Sequence, residues 1–472
     1  MAIPHLRRSY ACIASCTLWV VLSLVTHVAA ISSVLTVPVP HPTIQSAIDA
    51  ANSGDTVLVA SGTYDEAVRV EYKNVVLKSE TGAESTIISG LFHPGDVTPI
   101  VRLTSVDSFT VIEGFTLSGN VDSAGAAGAV LVDSSSCPTI RDNIIKNNLS
   151  QLGGGIGVYH SSCVRIVGNV IRNNQALQHG GGVYAFLSDR TEVHGNLVAY
   201  NQASPGVSQA PGGGGVMILL SGETLIEWNA FVGNAAEFGG AILFNVGAFS
   251  IVRENTLVYN GGGVFPKSSR AAGVHFFGNA STKTLERNII ASSQDGSGVS
   301  VTPAGNESPE MICNVFWMNE LGDYGGAAEP GASDMYADPL FCFMDPDSFS
   351  VAANSICLAD NNQGCGSIGA FGPGCGSQLA IDEARAPQYG LRVQRIGRWV
   401  VEFELDSRAW VGTLRLEIFD VQGRLIDTLL FDNEPRVRWD ASSRTGNLAA
   451  AVLFARVGNG AVLAAKTFTI GL

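Results

Sequence analysis

The chain has 472 residues, of which 15% are charged and 54 are glycine, and its formal net charge is −14. This length allows two or three domains with sizeable cores, and abundant glycine with sparse charge is typical of turn-rich β proteins rather than helical ones. The acidic balance argues against nucleic acid and anionic membranes as partners.

Residues 1–30 have the organisation of a secretory signal peptide. Arg7 and Arg8 precede an apolar run at 16–25, and small residues follow at 29–30. The run is shorter than the ~20 residues that cross a bilayer, which favours a signal peptide over a membrane anchor. No later segment is a spanning candidate. We therefore expect an exported mature protein without a membrane span, located outside the cell or on its outer surface.

Residues 31–125 are predicted to form an N-terminal cap and the first coils of a repeat. Thr43 is the predicted N-cap of a short helix in which Ile44, Ala47 and Ile48 share an apolar face. Strands are predicted at "DTVLVASGTY", "AVRVEY", "NVVLKSE" and "STIISG". Because a stack of strands exposes an open core at its end, we expect this helix to cover the first coil.

An asparagine that recurs every 26 to 33 residues is the strongest pattern in the chain. It stands at Asn143, Asn169, Asn196, Asn229, Asn255, Asn288 and Asn314. The residues three positions before and two positions after it are apolar without exception. A polar residue follows five positions after it, then a loop of variable length, a glycine-rich turn and a short apolar strand. Such self-similarity predicts a solenoid.

The repeat is too rich in turn residues for helical segments, which favours short strands. We predict a three-sided parallel coil in which strands of successive repeats lie about 4.8 Å apart and apolar residues fill the interior. Asparagine suits the corners because it tolerates left-handed backbone geometry, and stacked amides can bond along the column. We assign residues 126–376 to the regular coils and a cysteine-rich C-terminal cap.

Seven cysteines follow the predicted signal peptide. Five of them lie near the end of the coil, at Cys313, Cys342, Cys357, Cys365 and Cys375. In an oxidising compartment this clustering predicts two disulfides that stabilise an irregular cap, with the connectivity open. Cys137 and Cys163 are each six residues before an anchor asparagine, so adjacent coils place them together, either bridged or as stacked thiols. A zinc site is disfavoured because no C-x-x-C pair or neighbouring histidine is present.

The composition changes after residue 376. Residues 377–390 are poorly periodic and are predicted to be a linker. From 391 to 472, alternating strands return in "WVVEFEL", "TLRLEIFDV" and "AKTFTIGL". This tail is predicted to be a small antiparallel β-sandwich.

Two family resemblances follow from these phrases. "DNIIKNN", "GNVIRNN" and "ENTLVYN", followed by "GGG" and an apolar strand, resemble the right-handed parallel β-helix of pectate-lyase-like proteins. The tail phrases "LRLEIFDVQGRLIDTL", "VRWDASSRTGN" and "AKTFTI" resemble immunoglobulin-like C-terminal sorting domains of type IX secretion, which are related to a domain of flagellar hook-capping proteins. The second resemblance implies the type IX machinery as a partner. A plain accessory sandwich is the alternative.

The resemblance to pectate-lyase-like proteins implies a lateral groove beside one sheet. Pectinolytic relatives use acidic clusters with calcium for β-elimination, or paired carboxylates for hydrolysis. Aligning the strands after the glycine turns gives one outward column of Leu131, Gly157, Tyr184, Met217, Leu243, His275 and Ser300. A second column contains Tyr159, Phe186, Leu219, Asn245, Phe277 and Thr302. Neither column, as aligned, contains a carboxylate.

The aromatic members of these columns are the predicted ligand-binding surface, because exposed aromatic faces suit sugar rings. They are Tyr159, Tyr184, Phe186, His275 and Phe277. The competing interpretation is that loops or the tail cover them. No metal site is predicted. The only catalytic candidates are the loop residues Glu237 and Arg270.

The predicted fold class is all-β: a right-handed parallel β-helix solenoid with an N-terminal capping helix, followed by a small antiparallel β-sandwich. The predicted function is a binding or structural module, with polysaccharide or another cell-surface component as its partner and no cofactor. A polysaccharide lyase or hydrolase is the enzymatic alternative, and calcium is expected only for the lyase. A third alternative is an adhesin or protein-interaction scaffold.

Overall fold

The computed structural model describes residues 32–90, 99–203, 212–247, 249–261, 272–278, 283–302, 307–342, 349–362, 364–376, 390–395, 400–406, 413–419, 425–432, 436–440, 451–458 and 462–470. The predicted signal peptide lies outside these residues. So does the predicted linker, except Gly390, which begins a strand. No helix within the described ranges is long and apolar enough to cross a membrane.

Three long parallel sheets run along the solenoid, and each coil between its two ends contributes one short strand to each sheet. Sheet A consists of Val34–Val37, Thr56–Val59, Val76–Ser79, Val111–Glu113, Thr139–Arg141, Arg165–Val167, Thr191–His194, Thr224–Glu227, Ser250–Arg253, Lys283–Glu286 and Glu310–Ile312. Sheet B consists of Gly62–Asp65, Thr86–Ser89, Thr116–Ser118, Ile144–Lys146, Val170–Arg172, Leu197–Ala199, Ala230–Val232, Thr256–Val258, Ile289–Ala291, Val315–Trp317 and Met335–Tyr336. Sheet C consists of Val68–Glu71, Val101–Thr104, Val130–Asp133, Ile156–Tyr159, Val183–Phe186, Val216–Leu219, Ile242–Asn245, Val274–Phe277, Val299–Val301 and Tyr324–Gly326. The predicted parallel β-helix is therefore confirmed.

A fourth, smaller sheet lies in the connection from sheet B to sheet C. Its strands are Val121–Asp122, Leu149–Leu152, Gln175–His179 and Gln202–Ala203. We call it sheet D. Its strands follow the second polar column and precede the glycine turn, and the sheet brings residues of this connection beside sheet C.

The recurring asparagines form a buried ladder at the bend between sheets A and B. From Asn143 to Asn314, each side-chain amide donates to the side-chain oxygen of the next asparagine at 2.9–3.1 Å. Each also donates to a backbone carbonyl, as Asn229 Nδ2 does to Val193 O at 2.8 Å. Asp334 ends the ladder by accepting from Asn314 Nδ2 at 3.0 Å. The ladder provides hydrogen-bond partners for backbone groups at the bend, where the chain leaves one sheet for the next.

The N-terminal helix Ile44–Ala50 covers the first coil, as predicted. Thr43 Oγ1 accepts from Ser46 N, and the apolar face is buried in the solenoid core. The Glu66 carboxylate accepts from the backbone N–H groups of Ile44 and Gln45 at 2.8 and 3.0 Å. A carboxylate in this position compensates the unpaired donors and positive end of the helix.

The cysteine-rich segment is a side cover rather than an end cap, which corrects the prediction. Within its described parts, 340–342, 349–362 and 364–376, it contains the paired strands Val351–Ala352 and Pro373–Cys375 and a 3₁₀ helix at Ala359–Asn361. Its apolar residues pack against outward side chains of sheet B, including Val232, Val258 and Trp317. The sequence could not show this because the outward residues of sheet B are themselves apolar, which made them indistinguishable from core.

The cover holds two disulfides, as predicted, and they join Cys313 to Cys365 and Cys342 to Cys375. Cys357 is a buried thiol, and burial raises its pKa to about 12. A third disulfide joins Cys137 to Cys163 on adjacent coils, which decides between the bridge and the stacked thiols. Three disulfides indicate that the chain belongs to an oxidising compartment.

The tail forms two antiparallel sheets. One contains Gly390–Arg395, Val400–Asp406 and Arg436–Asp440, and the other contains Leu425–Asp432, Thr413–Phe419, Ala451–Gly458 and Val462–Ile470. Apolar side chains such as Phe403, Leu416 and Phe431 are buried. These strands agree with the predicted sandwich fold, and the sorting role remains a prediction.

Candidate ligand-binding surface

The register of sheet C confirms the two predicted columns as neighbouring residues. Leu131, Gly157, Tyr184, Met217, Leu243, His275 and Ser300 pair in one row across the coils. The structure nevertheless buries this first column. Tyr184 is 4% exposed and His275 is 0% exposed. These two predicted ligand residues therefore do not form part of an accessible surface.

Residues from the connection between sheets B and C cover the first column. Leu152 of sheet D and Phe238 pack on the cluster of Tyr184, Met217 and Leu243. At Gly157 a Cβ atom would lie 2.6 Å from Ala126 O, so the covering loop leaves no room for a side chain there. The loop path decides this burial, and strand alignment carries no information about that path.

The phenol of Tyr159 contacts the same connection between sheets B and C. Its hydroxyl donates to Ala126 O at 2.7 Å, and its ring lies 5.6 Å from that of Tyr184. Burial raises the pKa of both phenols, that of Tyr184 to about 12. Both hydroxyls are thus neutral near pH 7, which suits packing and hydrogen bonding.

Part of the second column, with the residue that follows each of its members in the chain, forms a surface strip. It lies beside the connection that buries the first column. We call it the sheet C strip, and it consists of Phe186, Leu187, Leu219, Leu220, Asn245, Val246 and Phe277. Leu187, Leu220 and Val246 are 45%, 46% and 40% exposed, and Phe277 is 40% exposed. The strip runs along the solenoid axis over four successive coils.

Three strip residues occupy backbone geometry that does not favour them. Leu187, Leu220 and Val246 have φ angles of +49°, +49° and +51°. The left-handed region suits Gly and Asn, and a β-branched residue there is a marked outlier. The equivalent bend on earlier coils carries Tyr72, Ser105, Ser134 and His160. The bend therefore does not require large aliphatic side chains, and their presence points to a role at the surface.

A buried serine ladder fixes the position of the strip. Ser188 Oγ donates to Phe186 O at 2.9 Å and accepts from Ser161 N at 3.3 Å. Ser221 Oγ donates to Leu219 O at 3.1 Å and accepts from Ser188 N at 3.1 Å. Each coil thus holds the next in register just after the strip.

Replacing Val246 with Asn tests whether the strip carries strain. Because Asn tolerates positive φ, Val246→Asn should raise the free energy of unfolding by about 1 kcal/mol. The urea midpoint measures this gain. Val121→Asn is the matched control, since Val121 is 73% exposed and is absent from the positive-φ residues. Equal midpoints for Val246→Asn and the parent would show that the geometry is unstrained.

A carboxylate does lie in the second column, which corrects the sequence alignment. Asp133 pairs with Tyr159 across the coils and continues the column toward the N terminus. Its Oδ1 lies 3.2 Å from His160 Nδ1, and the His160 ring meets Phe186 edge-on at 5.9 Å. The column continues through Thr104 to Glu71, so the alignment omitted three coils and a second carboxylate. The strip therefore ends at an exposed Asp–His pair.

The pairing of the two catalytic candidates stays a prediction, because one of them lies outside the described residues. Glu237 is half-buried beside Phe238, and Arg270 lies outside the described residues. Within the described ranges, no group of three or more His, Cys, Asp or Glu side chains is placed to hold a metal ion.

Comparisons with known proteins agree with the fold. A family model described as "Right handed beta helix region" matches residues 100–290. Together with the parallel sheets, this match supports the right-handed parallel β-helix fold of the solenoid. No protein with a curated description matches significantly.

Solved structures show only distant similarity. A pectin methylesterase from Aspergillus niger is 12% identical with a TM-score of 0.30, over 65% of this chain and 89% of its own. A family PL6 alginate lyase is 11% identical with a TM-score of 0.29, over 71% of this chain and 56% of its own. ORF18 of Geobacillus virus E2 is 11% identical with a TM-score of 0.25, over 90% of this chain and 72% of its own. At such scores we derive neither activity nor substrate from them.

Proposed function

We propose that this chain is an exported β-helix protein that binds polysaccharide along the sheet C strip. The observation that carries the proposal is the exposed row of apolar side chains held at strained bend positions. Exposed contiguous apolar surface marks contact sites, and strained geometry persists where function maintains it. The disulfides are consistent with a protein that works outside the cytoplasm.

The dimensions and chemistry of the strip suit a glycan chain. Adjacent coils repeat at about 4.8 Å, which is close to the length of one pyranose unit in an extended chain. Phe186 and Phe277 offer ring faces or edges to the C–H faces of sugars. Asn245 contributes an amide between them, and such a group can both donate to and accept from hydroxyls.

Removing the two phenyl rings of the strip should weaken binding strongly. Phe277 is 40% exposed and Phe186 is half-buried. Each ring contributes on the order of 1 to 2 kcal/mol to contact with a sugar face, so Phe186→Ala with Phe277→Ala should reduce affinity by about 100-fold. Retention in gels that contain individual acidic or neutral polysaccharides measures this loss.

Phe109→Ala is the control for that experiment. Phe109 is 70% exposed and lies in an earlier coil, outside the strip. Its removal should leave retention unchanged. Retention is measured well below the thermal midpoint of each variant, because Phe186 also packs against Tyr184. Equal retention of the double variant and the parent would disprove the role of the strip.

A second candidate function is polysaccharide cleavage, which the Asp133–His160 pair favours. Asp133 orients the imidazole through Nδ1, which leaves Nε2, on the far side of the ring from the carboxylate, to act as the general base. The chain length of polysaccharides after incubation, with and without calcium, tests this candidate. Shortening that disappears in His160→Gln would establish a lyase or hydrolase in place of a binding module.

The route of export is a separate part of the proposal. The resemblance of the tail to type IX sorting domains supports a role for residues 391–472 in reaching the cell surface. The chain departs from the family pattern at Ala450–Leu453, where a small residue, Gly, Val and Tyr are usual before the Phe. An adhesin or protein scaffold is the alternative if the strip retains protein rather than glycan.

A further inference from the structure

A second cluster with ligand-binding character lies at the bend between sheets A and B. Eight residues in equivalent positions of this bend have positive φ: Gly114, Asp142, Gly168, Gly195, Trp228, Glu254, Arg287 and Cys313. Glycine or Asp meets the requirement on the first four coils. Trp228 at φ +56° is followed by Glu254 and Arg287 at +54° and +53°. Left-handed geometry disfavours these large side chains, so the bend alone does not explain them.

The indole of Trp228 is exposed but held in place. It is 49% exposed, and its Nε1–H donates to Glu254 of the next coil. The imidazole of His194, from the preceding coil, meets it edge-to-face with ring centroids 4.8 Å apart. An aromatic ring fixed before binding loses little conformational freedom when a ligand stacks on it.

Two groups of linked ion pairs lie around the indole. Glu227 accepts from His194 Nδ1 at 3.1 Å and from Arg253 Nε at 2.6 Å. Arg287 donates through Nε to Glu254 at 2.9 Å and also pairs with Glu286. Partly exposed pairs of this kind each stabilise a fold only slightly, and none of them needs an exposed indole.

The chemistry of this cluster selects an uncharged ligand with many hydroxyls. The cluster contains three carboxylates and two guanidinium groups. The excess negative charge disfavours an anionic ligand, and the two arginines disfavour a cationic one. A hydroxyl group can donate to a carboxylate and accept from a guanidinium, and a sugar ring can stack on the indole. Both donors and acceptors are present within one coil spacing of the ring.

We infer that Trp228, with Glu227, Glu254, Arg253 and Arg287, forms a second carbohydrate-contact site that takes a neutral sugar ring. The site is distinct from the sheet C strip. Within one coil, Leu220 of the strip and Trp228 are separated by the sheet A strand Thr224–Glu227. The inference therefore stands on different residues from the proposed function.

Affinity gels containing dextran, mannan or xylan test the inference with the full chain. Trp228→Ala should weaken retention on at least one of these neutral polymers about tenfold, while Trp228→Phe should keep most of it. In the Phe186→Ala, Phe277→Ala background, residual retention should persist and then disappear when Trp228→Ala is added. Leu321→Ala, at a residue 52% exposed elsewhere, is the surface control.

The outcomes separate this site from the strip. Loss of retention through Trp228→Ala with a normal thermal midpoint would support the Trp228 site. If the Phe186→Ala, Phe277→Ala variant also binds like the parent, the strip is disproved and the Trp228 site stands. Retention unchanged by Trp228→Ala in both backgrounds would overturn the inference. Complete loss of retention in the Phe186→Ala, Phe277→Ala variant, with Trp228 intact, would also overturn it. The same holds if Trp228→Ala loses retention only because its thermal midpoint falls.

Discussion

Asn229→Ala should lower the free energy of unfolding by about 4 kcal/mol, one of the largest effects expected for a single change in this chain. The Asn229 amide donates to Val193 O, Glu227 O and Asn255 Oδ1 at 2.8–2.9 Å. Its Oδ1 accepts from both the backbone and the side chain of Asn196 at 2.9 Å. Alanine removes these five bonds. Asn255 Oδ1 keeps the bond from the backbone N–H of residue 229, and Asn196 Nδ2 keeps its bonds to Ile166 O and His194 O. The other buried partners lose this amide, at a cost of about 1–3 kcal/mol each before relaxation.

An isosteric variant separates hydrogen bonding from packing at this position. Asn229→Asp keeps the shape but replaces the donors with acceptors that face Val193 O and Asn255 Oδ1, so it should destabilise at least as much as alanine at pH 7. Asn245→Ala, at a half-buried position in the strip, is the control and should change stability by less than about 0.5 kcal/mol. Urea midpoints measure all three. A loss below about 1 kcal/mol for both Asn229 variants would contradict a structural role for the ladder.

Breaking the Cys313–Cys365 disulfide should release the cover from sheet B. The bridge closes a loop with a sequence separation of 52. In the chain-entropy model such a loop corresponds to about 4 kcal/mol of stability. The cover is otherwise held by apolar packing and by bonds such as Gly369 N to Arg287 O at 2.8 Å. Cys313→Ser with Cys365→Ser should therefore open the segment at 340–376 while the coils remain folded.

Hydrogen exchange shows where the opening occurs. The amides of Val351 and Ile368 should exchange much faster in the double variant, because both are bonded only within the cover. Cys137→Ser with Cys163→Ser is the matched control, since that bridge joins coils already paired in three sheets. It should leave exchange in the cover unchanged. Uniform acceleration along the whole chain would show instead that the cover and the solenoid unfold together.

The repeat made the fold predictable because its constraints are local. An anchor asparagine such as Asn169 and its apolar neighbours at fixed offsets define one coil, and neighbouring coils repeat the same contacts. The short helix after Thr43 and the pair Cys137 and Cys163 followed from the same reasoning. Each depends on residues a short distance apart in sequence or on a single repeat interval.

The candidate surface was less predictable because it depends on paths between repeats. Tyr184 and His275 have the same strand position as exposed residues would have, and only the connection carrying Leu152 and Phe238 buries them. Bend conformation was equally hidden, because the apolar letters at Leu187 and Leu220 give no sign of positive φ. An alignment of the repeats at each bend would have shown that these positions carry unusual residues.

The dependence of affinity on glycan length tests the central claim most directly. Titrating size-defined oligosaccharides of a retained polymer into the parent protein should show affinity rising with each added sugar and levelling at about four to five units, the length that four coils at about 4.8 Å can contact. The Phe186→Ala, Phe277→Ala variant should lose most of this rise. No binding at any length, or equal affinity for one sugar and for five, would contradict a glycan-binding strip.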